Sequence, residues 1–195
     1  LMLGLALPAT AAEQVVLTLN QASSVDSGWT LSGSKAPQMV RVADSSQEWA
    51  LRLTDSTEDQ TGFALLNRAI SVSAGLDVTF FQSQWGGTGA DGLVFFVKKA
   101  SDTINTPGAL GGSLGYASGN TDGLSGALLG LGLDTYGGFG GSGVGSDCLS
   151  DPGPMMYQSR DALTLRGGGQ GRTGYCHLVE PWITTEHSVA SYLGA

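Results

Sequence analysis

The chain reads as all-β, with short antiparallel strands packed as a sandwich or barrel. Three observations predict this. Several short runs alternate apolar and polar residues with period two, which places one face of a strand inward and the other outward. Turn signals rich in Gly, Asn, Asp and Ser recur about every ten residues, the spacing of sandwich and barrel strands. No stretch carries an amphipathic helical period of useful length. The 31 glycines follow no collagen period and sit between apolar runs, as turn-rich β-structure requires.

Each element follows from its local pattern. QVVLTL at 14–19 is a β-branched run and the first expected strand. GWTLSGS at 28–34 alternates around Trp29 and Leu31, and 39–42 alternates again. EWALRLT at 48–54 puts Trp49, Leu51 and Leu53 on one face. Further strands are expected at 62–67, 69–72 and 76–82, the last directing Leu76, Val78 and Phe80 one way. Residues 93–97 are apolar at every position, so a central strand with both faces covered is expected. ALTLR at 162–166 alternates, and GGGQGRTG at 167–174 predicts a tight exposed hairpin. The pattern of 177–195 is weak and assigns no element.

A length of 195 residues with 41% hydrophobic and 13% charged content suits one ordered domain. The net charge of −8 argues against nucleic acid and anionic membrane, which select clustered Lys and Arg. No apolar run reaches the ~20 residues of a spanning helix. Residues 1–12, LMLGLALPATAA, read as the end of a secretory signal peptide: an apolar segment, a breaking Pro8, and the small-x-small Ala9-Thr10-Ala11. The domain is then 13–195 and the chain is secreted. In an exported chain the two cysteines, Cys148 and Cys176, are expected to form a disulfide.

The chemistry concentrates in 86–139. GTGADGLVFFVKK at 87–99 joins a glycine turn, the single Asp91 and an apolar run. PGALGGSLGY at 107–116 is a loop of small residues. GALLGLGLDTYGGF at 126–139 ends an apolar run on Asp134 and opens into a glycine loop. These read as two strands and three loops meeting at one sheet edge around a shallow polar site. Leu129, Leu131 and Leu133 alternate with Gly130, Gly132 and Asp134, so Asp134 shares a nearly bare face that a neighbour or ligand can approach closely. A strand-end carboxylate beside loop carbonyls is an oxygen-rich setting of the kind calcium takes. On its own, Asp91 also reads as a turn former, Asp134 as a cap or a buried partner of Arg166, and Tyr136 as core. The pairs Phe80-Phe81 and Phe95-Phe96 read as core. Lys98 and Lys99 read as an edge charge pair. His177, Glu180, Glu186 and His187 match no zinc spacing and read as surface residues.

Taken in order, these three motifs, with GWTLSGS, EWALRLT and ALTLRGGGQGRTGY at 162–175, resemble the L-type, legume-lectin-like family in its bacterial secreted form. The resemblance implies a jelly-roll sandwich of the concanavalin A-like type, with a glycan site at its rim. It implies that Asp91 follows a cis peptide and accepts hydrogen bonds from sugar hydroxyls. It implies a backbone N–H donor from Gly112, with Gly111 the near alternative. It implies that Asp134 binds calcium, that Tyr136 gives its carbonyl to the ion and its ring to the sugar, and that Asp147 or Asp151 completes the ligand set. Gly138 stands where the family carries a ligating Asn. Gly132 stands where a transition-metal site needs Glu, so that second metal is not expected. Sandwiches of this kind run to roughly 200–250 residues, and 183 residues follow Ala12 (195 minus 12), so closing strands are expected to be missing or rearranged.

The expected function is binding of a glycan or polysaccharide, with calcium (Ca2+) as the candidate cofactor and self-association into a homo-oligomer left open. The alternatives are a sandwich that keeps the scaffold for adhesion or structure, and a glycoside hydrolase on the same fold. A retaining hydrolase needs two carboxylates about 5 Å apart, and the same-face neighbours of Asp134 are Gly130 and Gly132. No GxSxG elbow is present, so no enzyme activity is expected.

Overall fold

The computed structural model describes residues 24, 25, 27–42, 49–73, 75–141, 144–146, 148, 160–178 and 182–183. The readings placed on 1–12, 14–19, Asp147, Asp151, Glu180, Glu186 and His187, and the C-terminal segment apart from 177–178 and 182–183, lie outside the described residues. The described chain is almost all β. Strands β1 (Trp29–Ser32) and β4 (Phe63–Leu66) form one antiparallel ribbon. Strands β2 (Gln38–Arg41) and β3 (Trp49–Arg52) form a second. The main sheet holds β5 (Gly92–Lys98), β6 (Ala127–Asp134), β7 (Ala162–Gln170) and β8 (Thr173–Gly174) in that order, with β9 (Trp182–Ile183) also paired to β7. Every pairing is antiparallel.

The main sheet turns its side chains by the two-residue rule. The register sets Val94 opposite Gly132 and Phe96 opposite Gly130. It sets Gly132 opposite Thr164 and Gly130 opposite Arg166. These residues share one face, which packs on Phe63 of β4 and on the buried rings of Tyr116, Phe139 and Tyr175. Phe63 stacks on Phe96 at 5.7 Å, and Tyr116 meets Phe139 and Tyr175 edge-on at 6.2 and 5.8 Å. Edge-to-face contact brings a ring's positive rim to its neighbour's negative face.

Glycine makes that packing possible. A Cβ on Gly132 would lie 2.3 Å from the Phe139 ring, and one on Gly130 would lie 2.8 Å from the Tyr116 ring. Gly169 and Gly123 clasp the Tyr175 ring in the same way, at 2.4 and 2.5 Å. The bare face of β6 is thus filled, and its occupants are aromatic rings of the same chain.

Several expectations need correction. Residues 69–72 and 76–82 are not strands. Alternation favours extended backbone, but a strand needs a partner ladder, and among the described residues none is paired to them. Ile70, Val72, Leu76 and Val78 are exposed, and Phe81 is 103% exposed, so it is not core. Phe80 is also exposed, although it stacks on Phe95 at 5.6 Å. β5 is an edge strand of the described sheet and half-buried rather than central. The central place goes to β6, whose glycines admit the rings. His177 is buried, not a surface residue, and its backbone bridges to Arg166.

Other features agree with the sequence. Strands appear within 28–34, 48–54 and 62–67, and β2 overlaps the expected 39–42, starting one residue earlier; β7 and β8 form the expected hairpin. Lys98 sits on the edge strand, where its ammonium caps the carbonyls of Lys99 and Asp102. Cys148 and Cys176 are bridged, with Cα atoms 5.6 Å apart. Among the described residues, no helix is long and apolar enough to cross a membrane.

Gly132→Ala is expected to cost about 1–3 kcal/mol through overpacking against Phe139, read by urea unfolding. Adding Phe139→Leu should recover part of that loss, because contacting residues couple. Strict additivity of the two would mean that the ring does not rest on Gly132.

Candidate functional site

The β5–β6 register brings the scattered motifs together. Gly92 pairs with Asp134, so Asp91 and the segment 134–136 meet at one end of the main sheet. The Ala90–Asp91 peptide is cis, the form the resemblance implies ahead of this Asp. The Asp91 backbone carbonyl accepts hydrogen bonds from the Tyr136 N–H and the Thr135 hydroxyl, both at 3.0 Å. Thr135 also donates to the Gly89 carbonyl at 3.4 Å. The acidic turn and the Asp-Thr-Tyr segment are therefore tied to each other directly.

The third loop closes on the same place. Gly111–Ser113 forms a single 3-10 turn that ends with Leu114 in the left-handed conformation. Gly111 has φ +72°, and a Cβ there would lie 3.9 Å from Asp91 Oδ2. Gly112 faces the next loop instead: a Cβ on it would lie 3.1 Å from Gly138 Cα. Gly111 thus lies beside the Asp91 carboxylate, and Gly112 packs on Gly138. The contact is reciprocal, because a Cβ on Gly138 would lie 2.8 Å from Gly112 Cα. Position 138 has no room for the Asn that the resemblance leads one to expect.

The two carboxylates have different surroundings. Asp91 is half-buried, and burial pushes its carboxyl above the usual carboxylate range. Asp134 is 0% exposed. Its Oδ1 accepts the Gly137 N–H at 2.8 Å, and its Oδ2 accepts the Phe139 N–H at 2.6 Å. Burial raises its pKa, the Gly137, Phe139 and Gly140 amides oppose that, and the negative Asp91 nearby adds to the rise. Asp134 acts here as an acceptor for the loop that follows it.

Tyr136 is half-buried, not core. The Arg160 guanidinium lies 5.1 Å above its ring centroid, a cation–π contact that covers one face of the phenol. The other half of the loop is held by Arg166, which is 1% exposed. Its guanidinium donates to four backbone carbonyls: Phe139 at 2.8 Å, Val144 at 2.8 Å, Tyr175 at 2.6 Å and Gly141 at 3.0 Å. Sequence reasoning offered Arg166 only as a partner for Asp134 and missed Arg160 and Thr135. A signal for Arg166 was present: in ALTLR it occupies the same alternation face as Ala162 and Thr164, the face opposite the leucines.

The described residues do not fit a calcium cage. Asp134 is enclosed and engaged by amides, position 138 is closed by packing, and loop carbonyls converge on a guanidinium. Among the described residues, no group of three His, Cys, Asp or Glu side chains is placed to hold a metal. Asp147 lies outside them. A shallow depression of about 290 Å³ lies at the start of the 107–116 loop, lined by Ser32, Ser34, Thr61, Thr106, Leu110 and Thr121 among others; Asp91, Asp134 and Tyr136 do not line it.

No protein-family profile and no curated protein sequence matches the chain.

Asp134→Ala strands two buried amides and is expected to destabilise the chain by about 1–3 kcal/mol per amide. Asp134→Asn, which keeps one acceptor, should lose about half as much. Urea unfolding measures both, and an unchanged midpoint in Asp134→Ala would show that the loop does not depend on this carboxylate.

Proposed function

We propose that this chain is an exported carbohydrate-binding domain with a shallow site formed by Asp91, the Gly111–Ser113 turn and Tyr136. The observation that carries the reading is that three sequence-distant loops meet at Asp91: the 134–136 segment bonds its backbone carbonyl, and Gly111 lies beside its carboxylate. Each supplies a different element of sugar recognition. Asp91 offers charged acceptor oxygens to hydroxyl pairs. The glycine turn presents backbone at close range, with no side chain between it and a ligand. Tyr136 offers an apolar ring for the C–H face of a pyranose. The L-type resemblance of these motifs, and the jelly-roll architecture it implies, point the same way. The disulfide suits an oxidising compartment, as export requires.

Binding is favoured over hydrolysis because Asp134 has no exposed surface. It cannot reach a glycosidic bond, so Asp134 does not serve Asp91 as the second carboxylate that hydrolysis needs. One observation favours a second reading, a scaffold kept for adhesion or structure without a sugar site: Arg160 already covers one face of the Tyr136 ring.

A glycan array with the full chain separates the two. Specific binding that Asp91→Ala lowers at least roughly tenfold, with the circular dichroism spectrum unchanged, supports the sugar site; a tenfold loss is about 1.4 kcal/mol, the size of one charge-assisted hydrogen bond. A flat array supports the scaffold reading. Binding also carries a pH signature. Asp91 accepts hydroxyl hydrogen bonds as the carboxylate, and burial raises its pKa from 3.8. Affinity should be full at neutral pH and fall on acidification above the range in which exposed aspartates protonate. A pH-independent affinity down to that range would remove Asp91 from the site.

A further inference from the structure

A glycine-rich loop has little apolar surface with which to hold itself. The loop at 135–146 has the sequence TYGGFGGSGVGS, with the buried Phe139 and the partly buried Val144 packed on the core. In the L-type pattern such a loop is organised by a calcium ion that gathers its oxygens. Here backbone bonds from Tyr136, Gly141, Gly145 and Ser146 hold part of the loop, and two buried side chains gather a further set of its polar groups. Asp134 gathers amides, those of Gly137 and Phe139. Arg166 gathers carbonyls, those of Phe139, Gly141 and Val144, and ties them to the Tyr175 carbonyl of the following segment. The guanidinium also lies 5.2 Å over the Phe139 ring, so one cation contacts both the backbone and the aromatic anchor of the loop.

The chemistry suits this use. A guanidinium presents five N–H donors in a rigid plane and stays charged at all relevant pH values. A hard divalent cation would draw on the same kind of oxygens, but at short range and with carboxylate support. The glycine at 138 fits as well, since an Asn ligand there would collide with Gly112.

We infer that Arg166 is a built-in cation for this loop: it holds the 135–146 wall in place, and the loop assembles without calcium. The inference rests on the proposed sugar site only in naming the loop as one of its walls. Arg166 is a positioning residue: it is buried, and its guanidinium holds backbone carbonyls of the loop and of Tyr175.

The test uses the full chain and needs no sugar. Thermal melts are recorded in millimolar calcium and in EDTA, and hydrogen exchange is followed in both. The expected result is coincident melting curves, with the 135–146 amides equally protected in EDTA. A calcium-dependent rise in Tm of roughly 5 °C or more, as an ion bound only to the folded state at ~100 times its Kd would give, would overturn the inference. So would protection of 135–146 that appears only with calcium. Arg166→Lys keeps the charge but not the planar fork. It should lower Tm by roughly 6 °C or more and speed exchange within 135–146, while the β5 and β6 amides stay protected. Unchanged melting and exchange in Arg166→Lys would count against the proposal. If this variant does not fold, the calcium and EDTA comparison on the unsubstituted chain still decides. Failure of the sugar reading is told apart by the array: a chain that binds no glycan yet melts identically in both buffers keeps Arg166 in its role. A chain that binds glycan only with calcium, and melts higher in it, removes that role and keeps the sugar site.

Discussion

The candidate site depends on satisfying the backbone of a loop that has almost no side chains. Buried amides and carbonyls must find partners, because each one left unpaired costs about 1–3 kcal/mol. Among its described residues, the segment after β6 has no helix and only an isolated bridge, Ser146 with Gly174, beside a few loop bonds. A carboxylate and a guanidinium serve further groups, one for donors and one for acceptors. Both charges are buried, and each is heavily solvated by peptide dipoles, which replace the water it loses. Both sit on the core face of adjacent paired strands, at Asp134 and Arg166. The sheet therefore places them, and they in turn place the loop.

The same sheet face explains the glycine content. Every residue between Asp134 and the Tyr116 ring on that face of β6 is glycine, so rings rest directly on backbone. Glycine within a strand costs roughly 0.5–1 kcal/mol relative to alanine. Here the loss is offset by the close contact of Tyr116, Phe139 and Tyr175, all with no exposed surface. Tyr116 also donates its hydroxyl to the Gly167 carbonyl at 2.8 Å, which ties the 107–116 loop to β7. The aromatic cluster thus links the loop that carries Gly111 to the strand that carries Arg166. Packing in the core and the position of the site are one construction.

The opposite face of the main sheet is apolar but less enclosed. Leu93, Phe95, Leu131 and Leu133 are half-buried there, and Phe80 covers part of it. The two faces have separate roles, the glycine face for close aromatic packing and loop control, the leucine face for apolar contact.

What the sequence by itself determined was local. Period-two alternation placed β1, β2, β3 and β7, and turn residues placed the β7–β8 hairpin, because both signals lie within a few neighbouring residues. The same reasoning singled out Asp91, Asp134 and Tyr136 as residues out of keeping with the apolar runs beside them. It paired Cys148 with Cys176 by count and compartment. Only the tertiary structure decided which alternating segments find a partner, and 69–72 and 76–82 do not. It also decided that Gly111 lies beside the Asp91 carboxylate while Gly112 packs on Gly138, and that Arg166 receives loop carbonyls. Those outcomes depend on contacts between residues tens of positions apart, on register and on the room left by absent side chains. Alternation along a chain carries no information about what will lie across from it.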